Sequence, residues 1–531
     1  MGKKKEVILY NNRYRGTKLS EEDCDKLEKL IKLSDSNGCV KELKKLIYDL
    51  PPSSIQQIRE SKSNEFIEMM KGELQDSQTI GVAYMYYAKR AILGDSVGLG
   101  KTAQVSGLCN LLESQYEKQD YDFRFLMLAE KSAVNELTEK MIRFTGDYVE
   151  SLYGEKDNIL KFAKTWEGEL PPNVVGSHSL IKSAYFIDYM RSFVSDNGYC
   201  PFDLLIIDEA GDILTNSTTQ AYKSGLYFES LFDRIVLLNA TSFEKELEQF
   251  YNQISFIDNS LLPTKTEFDK TYKVYTYGYM PYPVWQGKYK NQDKFRDLVA
   301  YRYLQRTRKS LGAKMEDCTA DVLVSDLSPI QKKLLNRVSI PMMVYDCPSY
   351  FSSFVEGGVT TDIETTPKLK DLVGLVEDLN EDGPILVYCR YKEAQYCIQE
   401  ELLNRGFNCE IMNGDTSQKE RNLLINEFKM GSIDVLVTSI QKSLDFGNCN
   451  TCIFYDYDPS PNKMVQFEGR MTREQNIIGK HVYLLISRGK ELSTFKHTVA
   501  DRAKASDVFA GSDYSCVLSI LLENDKLKEL K

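Results

Sequence analysis

The chain is poor in histidine and tryptophan and has no long apolar run. Its three histidines (His178, His481 and His497) lie far apart, which argues against a histidine-built metal centre, because such a centre gathers several ligands at short spacing. No apolar stretch approaches the roughly 20 residues of a membrane-spanning helix. The start, MGKKKEVILYNNRYRG, is basic but lacks the apolar core of a signal peptide. The expectation is a protein that is not secreted and does not enter a membrane. Regular cysteine spacing is also missing. Twelve scattered cysteines suit a reducing interior better than a disulfide framework. Cys449 and Cys452 form a lone CxxC with no second pair nearby to complete a zinc site, and they run into an apolar stretch, so they read as core residues. Excess positive charge is absent too, and a net charge of -10 speaks against a wholly basic nucleic-acid coat. It leaves room for a protein with only a local basic track.

What is present is an ordinary globular composition, 42% hydrophobic and 27% charged, over 531 residues. That length calls for several cores. Residues 1–69 read as a small helical N-terminal region, with a capping-box start at Ser20-Glu21-Glu22-Asp23 before LEKLIKL, and could carry a protein partner. Residues 70–312 alternate short apolar runs (AIL, FLML, LLIID, RIVLLN) with amphipathic stretches. Such alternation implies a parallel α/β sheet. Residues 313–365 read as a linker, with a basic cluster at Arg302, Arg306, Arg308 and Lys309 just before it. The alternation returns over 366–490 (PILVYC, CEIM, DVLVT, TCIFYD, HVYLLIS), and 491–531 reads as a helical tail.

Three segments carry chemistry. In AILGDSVGLGKTAQ an apolar run leads through Asp95, Ser96, Val97, Gly98, Leu99, Gly100, Lys101 and Thr102 into helix-like sequence. This is the pattern of a phosphate cradle: glycines let backbone N–H groups curl round a phosphate, the lysine reaches the β/γ oxygens, and the threonine hydroxyl holds Mg²⁺. DLLIIDEAG then delivers Asp208 and Glu209 from the end of an apolar strand, the edge at which parallel sheets bind ligands. Asp208 suits Mg²⁺, and Glu209 suits the base that activates water. In QFEGRMTR, Arg470 and Arg473 are three apart and share a face if helical.

Taken in order, these segments resemble superfamily 2 helicases, and within them the SWI/SNF-like group of duplex-DNA translocases. DSVGLGKT is similar to that group's DEMGLGKT, with Asp95 at the matching place. LQDSQTIGV resembles the segment whose glutamine reads adenine, pointing to Gln78. LAEKSAVNELTEKMIRF resembles the first DNA-contact motif, matching at Lys131, Ser132 and Asn135. VVGSHSL resembles a short segment ending in serine-tyrosine, with His178 for the tyrosine. LNATS stands for LTGTP, keeping Thr241 and placing Ser242 for proline. LQRTRKSL would place Arg306 and Arg308 near the lobe junction. DYDPSPNKMVQFEGRMTR is similar to DSDWNP followed by Q and RxxR, matching at Asp456, Asp458, Pro461, Gln466, Arg470 and Arg473.

The resemblance implies two tandem RecA-like parallel-sheet lobes of the α/β class, ATP and Mg²⁺ as cofactors, and Arg470 and Arg473 as arginine fingers. It also implies nucleic acid, duplex DNA first, as partner. Lys101, Asp208, Glu209, Arg470 and Arg473 form the catalytic set. Residues Asp95 to Thr102, with Gln78 and Gln466, form the nucleotide set, and Thr102 and Asp208 hold the metal. Lys131, Ser132, Ser177 and Thr438 are the candidate phosphate-backbone contacts. The expected activity is ATP-driven movement along duplex DNA. Strand separation or fork remodelling on DNA or RNA is the alternative, with an ATP-switched binding protein third. A chain this compact is expected in the cytoplasm of a prokaryote or a virus-infected cell.

Overall fold

The computed structural model describes residues 19–35, 74, 76–117, 121–214, 216–239, 247–276, 284–312, 314–338, 341–354, 365–439, 446–447, 449–471, 477–500, 503 and 515–522. The chain divides into two compact units, Met1–Gly312 and Ala313–Lys531. Each is built on an all-parallel sheet, as expected of the two lobes.

In the first unit the strands are β1 (Arg90–Leu93), β2 (Phe125–Ala129), β3 (Val149–Leu152), β4 (Asn173–Ser177), β5 (Leu204–Ile207), β6 (Arg234–Leu238) and β7 (Tyr303–Leu304). Their order across the sheet is β3-β4-β2-β5-β6-β1-β7. The central strands are buried along their whole length, which explains why they read as unbroken apolar runs instead of alternating ones. One face packs on helices Asp76–Ala88, Lys101–Glu117 and Val134–Thr145. Helix Glu21–Asp35 packs there too, with Leu27 and Leu30 fully buried in the same core. The Ser20 hydroxyl accepts the Asp23 N–H at 3.0 Å and starts this helix. Within the supposed N-terminal accessory region this helix therefore belongs to the first core, where it buries its apolar stripe. The remaining helix-like stretches of that region lie outside the described residues.

In the second unit the strands are β8 (Thr319–Ser325), β9 (Ile385–Tyr388), β10 (Cys409–Met412), β11 (Val435–Thr438), β12 (Thr451–Phe454) and β13 (His481–Ser487), in the order β8-β13-β12-β9-β11-β10. Alternate residues feed two separate cores. Leu386, Leu436, Cys452 and Leu484 face one, and Val387, Val437, Ile453 and Leu485 face the other. Helices on both faces make the strands apolar throughout. The structure corrects two boundaries. The stretch read as a linker contains β8, which pairs with β13 over seven residues. The tail supplies helix Cys516–Leu522, whose Val517, Ile520 and Leu521 are buried in the first of these cores. Among the described residues no helix is long and apolar enough to cross a membrane.

Candidate nucleotide site and nucleic-acid contacts

The sheet order places the chemistry of the first unit. The phosphate loop leaves β1, the acidic pair leaves β5, and β6 lies between these two strands. All three strands run parallel, so both segments emerge at the same C-terminal edge.

The loop turns through Gly98 and Gly100, both at positive φ (87° and 74°). A Cβ at Gly100 would stand 2.3 Å from Nε2 of Gln78, and one at Gly98 2.6 Å from Nη2 of Arg308. At this φ a side chain is strained at either point, and it would also have to push the end of Gln78 or Arg308 aside. Helix Lys101–Glu117 begins at the lysine, so its first free N–H groups and the positive end of its dipole face the loop. Lys101 donates from Nζ to the carbonyl of Asp95 at 2.6 Å, which holds the ammonium across the mouth of the loop. Gln78 donates to the Leu99 carbonyl at 3.4 Å, placing the expected adenine reader beside the same turn.

Asp95 has a structural role that the sequence did not disclose. It is fully buried, and its carboxylate takes Nε of Arg306 at 3.0 Å, Nη2 of the same arginine, and Nε2 of Gln104 at 2.9 Å. Arg306 also donates to Gln104 Oε1 at 2.8 Å and to the Ser77 carbonyl. Arg302 is likewise spent inside the unit, on Asp258 at 2.8 Å. The three arginines of the basic cluster read as marking the connection between lobes are thus buried within the first unit, while Lys309 is exposed; Arg302 and Arg306 satisfy their donors against protein.

At the end of β5, the Asp208 N–H continues the ladder to the Leu128 carbonyl at 2.8 Å, and Glu209 then turns sharply at φ 46°, ψ 48°. A left-handed glutamate is unfavourable and is held by its surroundings. Two side chains hold this turn. His178 meets the Asp208 carbonyl through Nε2 at 2.8 Å. A carbonyl only accepts, so Nε2 carries the proton. Asn239 accepts the Gly211 N–H at 2.8 Å and donates to Gln253 at 2.6 Å. Asn239 is the second residue of the LNATS motif, and the link between that motif and the acidic turn is a contact missed in the sequence. Its signal was only a polar residue ending an apolar strand. Thr241 and Ser242 lie outside the described residues.

Thr102, half-buried in the first helical turn, and Asp208 are the metal-binding candidates. The loop geometry, the helix N-terminus and an acidic strand end suit a Mg²⁺-bound nucleoside triphosphate. Among the described residues no group of three His, Cys, Asp or Glu side chains is placed to hold a metal ion.

The four candidate backbone contacts divide evenly. Lys131 and Ser132 are exposed, Lys131 being paired with Glu155. Ser177 and Thr438 are corrected: they are 1% and 0% exposed. The Ser177 hydroxyl takes the Gly154 N–H at 3.1 Å and pairs with Ser179 at 2.7 Å. Both residues end inner strands, where the side chains turn into the protein.

In the second unit Gln466 lies buried in helix Pro461–Glu468. Arg470 sits in the turn beyond this helix, not on it. Bonds from Arg470 N to Phe467 O and from Met471 N to Glu468 O tighten the chain as the helix ends. Its Nε is buried with no partner among the described residues. Arg473 lies outside them. Glu468, between these motif residues, was missed: it accepts the N–H groups of Cys516 and Val517 at 2.8 and 3.1 Å and so caps helix Cys516–Leu522.

Asp456, at the end of β12, accepts the Arg390 N–H at 3.0 Å. It neighbours a buried cluster in which Lys368 bonds Asp346 at 2.6 Å and Glu491 at 2.8 Å. Burial pushes the Asp456 carboxyl up to about 7, and pushes Asp346 up as well. The folded state therefore holds protons that the unfolded chain has already released between the ordinary carboxylate range and about pH 7. Stability of the second unit is expected to fall as pH rises through that window. Hydrogen exchange over Ile385–Tyr388 and Thr451–Phe454, corrected for intrinsic rates, should show less protection at pH 7.5 than at pH 5.5. Asp456→Asn should flatten the trend, and greater protection at the higher pH would refute it.

Comparison with known proteins agrees with this geometry. A model of the SNF2-related domain matches residues 77–358, and a model of the helicase conserved C-terminal domain matches 367–475. The chain is 21% identical over 484 residues to a CHD3-type chromatin-remodeling factor, CHR7, of Arabidopsis thaliana, covering 85% of the chain and 38% of that protein. It is also 21% identical over 455 residues to an uncharacterized ATP-dependent helicase, YqhH, of Bacillus subtilis, covering 78% of the chain and 73% of the relative. Among solved structures, the Sulfolobus solfataricus SWI2/SNF2 ATPase core in complex with dsDNA matches over 86% of the chain and 97% of its own, at 18% identity and a TM-score of 0.38.

Proposed function

The chain belongs to the SNF2-related family of helicase-like ATPases, and from that premise we propose that it hydrolyses ATP to move along double-stranded DNA. The observation that carries the reading is the convergence of the phosphate loop and the Asp208–Glu209 turn at one sheet edge. In this reading the loop N–H groups and Lys101 bind the β- and γ-phosphates, while Gln78 contacts the base. Mg²⁺ held by Thr102 and Asp208 supplies charge neutralisation on the phosphates. Glu209 takes the proton of the attacking water, and Arg470 and Arg473 offset charge on the transferred phosphoryl group.

Exposed Lys131 and Ser132 contact the DNA backbone, which carries no base information, so movement is independent of sequence. The resemblance of DSVGLGKT and LAEKSAVNELTEKMIRF to the motifs of duplex-DNA translocases favours double strands over single ones.

The test is ATPase activity with no nucleic acid, single-stranded DNA, duplex DNA and RNA, followed by triplex displacement and fork unwinding. Duplex-stimulated turnover with triplex displacement is the expected result. Stimulation by single strands or RNA alone would overturn the duplex assignment, and fork unwinding would mark a strand-separating enzyme. Duplex affinity should also fall linearly on a log–log plot against salt, since phosphate contacts release counterions. A flat response would refute backbone tracking.

A further inference from the structure

Beyond β7 the chain runs alongside the phosphate loop in a fixed register. Ile92, Gly94 and Ser96 donate their N–H groups to the carbonyls of Arg302, Leu304 and Arg306 at 2.7, 2.8 and 3.0 Å. One further step of two residues brings Arg308 opposite Gly98, where its Nη2 lies 2.6 Å from the place a Cβ would take. Three arginines thus line one flank of the loop and its strand, and two of them are used up. Arg302 holds Asp258, and Arg306 holds Asp95 and Gln104.

Arg308 differs from both. It is 4% exposed, and its Nε and Nη2 are buried with no hydrogen-bond partner among the described residues. A buried guanidinium with unmade hydrogen bonds is costly, and such groups in native structures call for an explanation. Its place against the glycine of an anion-binding loop supplies one. A planar fork of N–H donors is suited to phosphate oxygens.

We propose that Arg308 is a nucleotide-binding residue, donating from its guanidinium to a phosphate oxygen of the nucleotide held in the Asp95–Thr102 loop. The assignment rests on the ATPase reading above. It adds to Lys101 a second cation from the same unit, carried by a segment more than 200 residues away in sequence. It also gives Gly98 a reason to be glycine: a side chain there would displace the guanidinium.

A ligand-binding arginine and a structural one respond to removal in opposite ways. Arg308→Met keeps the bulk and deletes the charge. The unliganded first unit should then be as stable as wild type or more so, because an unpaired buried cation has been removed. ADP binding should weaken about ten- to a hundredfold, the range for a hydrogen bond to a charged group, and the ADP-induced rise in Tm should shrink accordingly. Inorganic pyrophosphate should lose affinity in parallel, and Arg308→Lys should fall between the two because it keeps the charge but not the fork.

Calorimetric titration of the full chain with ADP and with pyrophosphate, alongside unliganded Tm, reads all of this. Unaltered ADP affinity in R308M, or a loss of unliganded stability without loss of ADP affinity, overturns the assignment alone. A loss confined to ADP and absent with pyrophosphate overturns the phosphate contact. Failure of the folded wild-type chain to bind ADP sinks both this assignment and the ATPase reading.

Discussion

Glu209→Gln is expected to lower ATP turnover by about 10²–10⁴-fold, the usual contribution of a general base, while leaving ATP affinity near that of wild type. The amide preserves size and keeps one accepting oxygen but cannot take a proton from water. Its backbone stays in place as well, because the left-handed turn at Glu209 is held from outside the residue by the contacts of His178 and Asn239. The comparison that matters is single-turnover hydrolysis against equilibrium binding of ATP in the same preparation. Hydrolysis within a few-fold of wild type would show that another group acts as the base. Loss of ATP binding would show that Glu209 shapes the site instead of acting in it.

The second large effect concerns stability. Arg306→Met should destabilise the first unit by about 3–5 kcal/mol, as expected when one member of a buried ion pair is removed. The Asp95 carboxylate is fully buried and would keep only Gln104 as a side-chain partner. Arg306 also ties the Ser77 carbonyl, next to Gln78, to the phosphate loop, so ADP affinity should fall along with stability. In the double variant Asp95→Leu/Arg306→Met much of the stability should return, because a buried pair replaced by apolar groups is often near neutral. Trp166 lies in the first unit and reports its urea transition, since the chain's other tryptophan, Trp285, belongs to the same unit. A loss below about 1 kcal/mol in the single variant would place the pair among interactions of surface strength. That result would contradict the burial seen for both side chains.

The three arginines at 302, 306 and 308 show how sequence and structure divide the information. As a sequence they are a basic cluster in an irregular stretch, which ordinarily marks solvent or a nucleic-acid surface. The partners of Arg302 and Arg306, Asp258 and Asp95, lie 44 and 211 residues away. No local pattern connects them, because the fold lays β7 beside β1, which is more than 200 residues away in sequence. Asn239 and Glu468 were hidden for the same reason. A polar residue ending a strand and a glutamate between motif residues gain meaning only from the turn and the helix terminus brought against them. Ser177 and Thr438 show the converse error, in which hydroxyls matched by order along the chain face inward at strand ends.

The sequence by itself determined the two parallel-sheet lobes and marked the loop and acidic turn of the candidate nucleotide site. Strand runs buried on both faces must be apolar throughout, and a phosphate loop needs glycine, lysine and threonine at fixed local spacing, so both leave short-range signatures. Only the tertiary structure decided which polar residues are buried partners and which remain free to bind. That property depends on what distant segments bring alongside, and it is why Asp95 belongs to the core while Arg308, two residues beyond its partner Arg306, points at the loop with hydrogen bonds still to make.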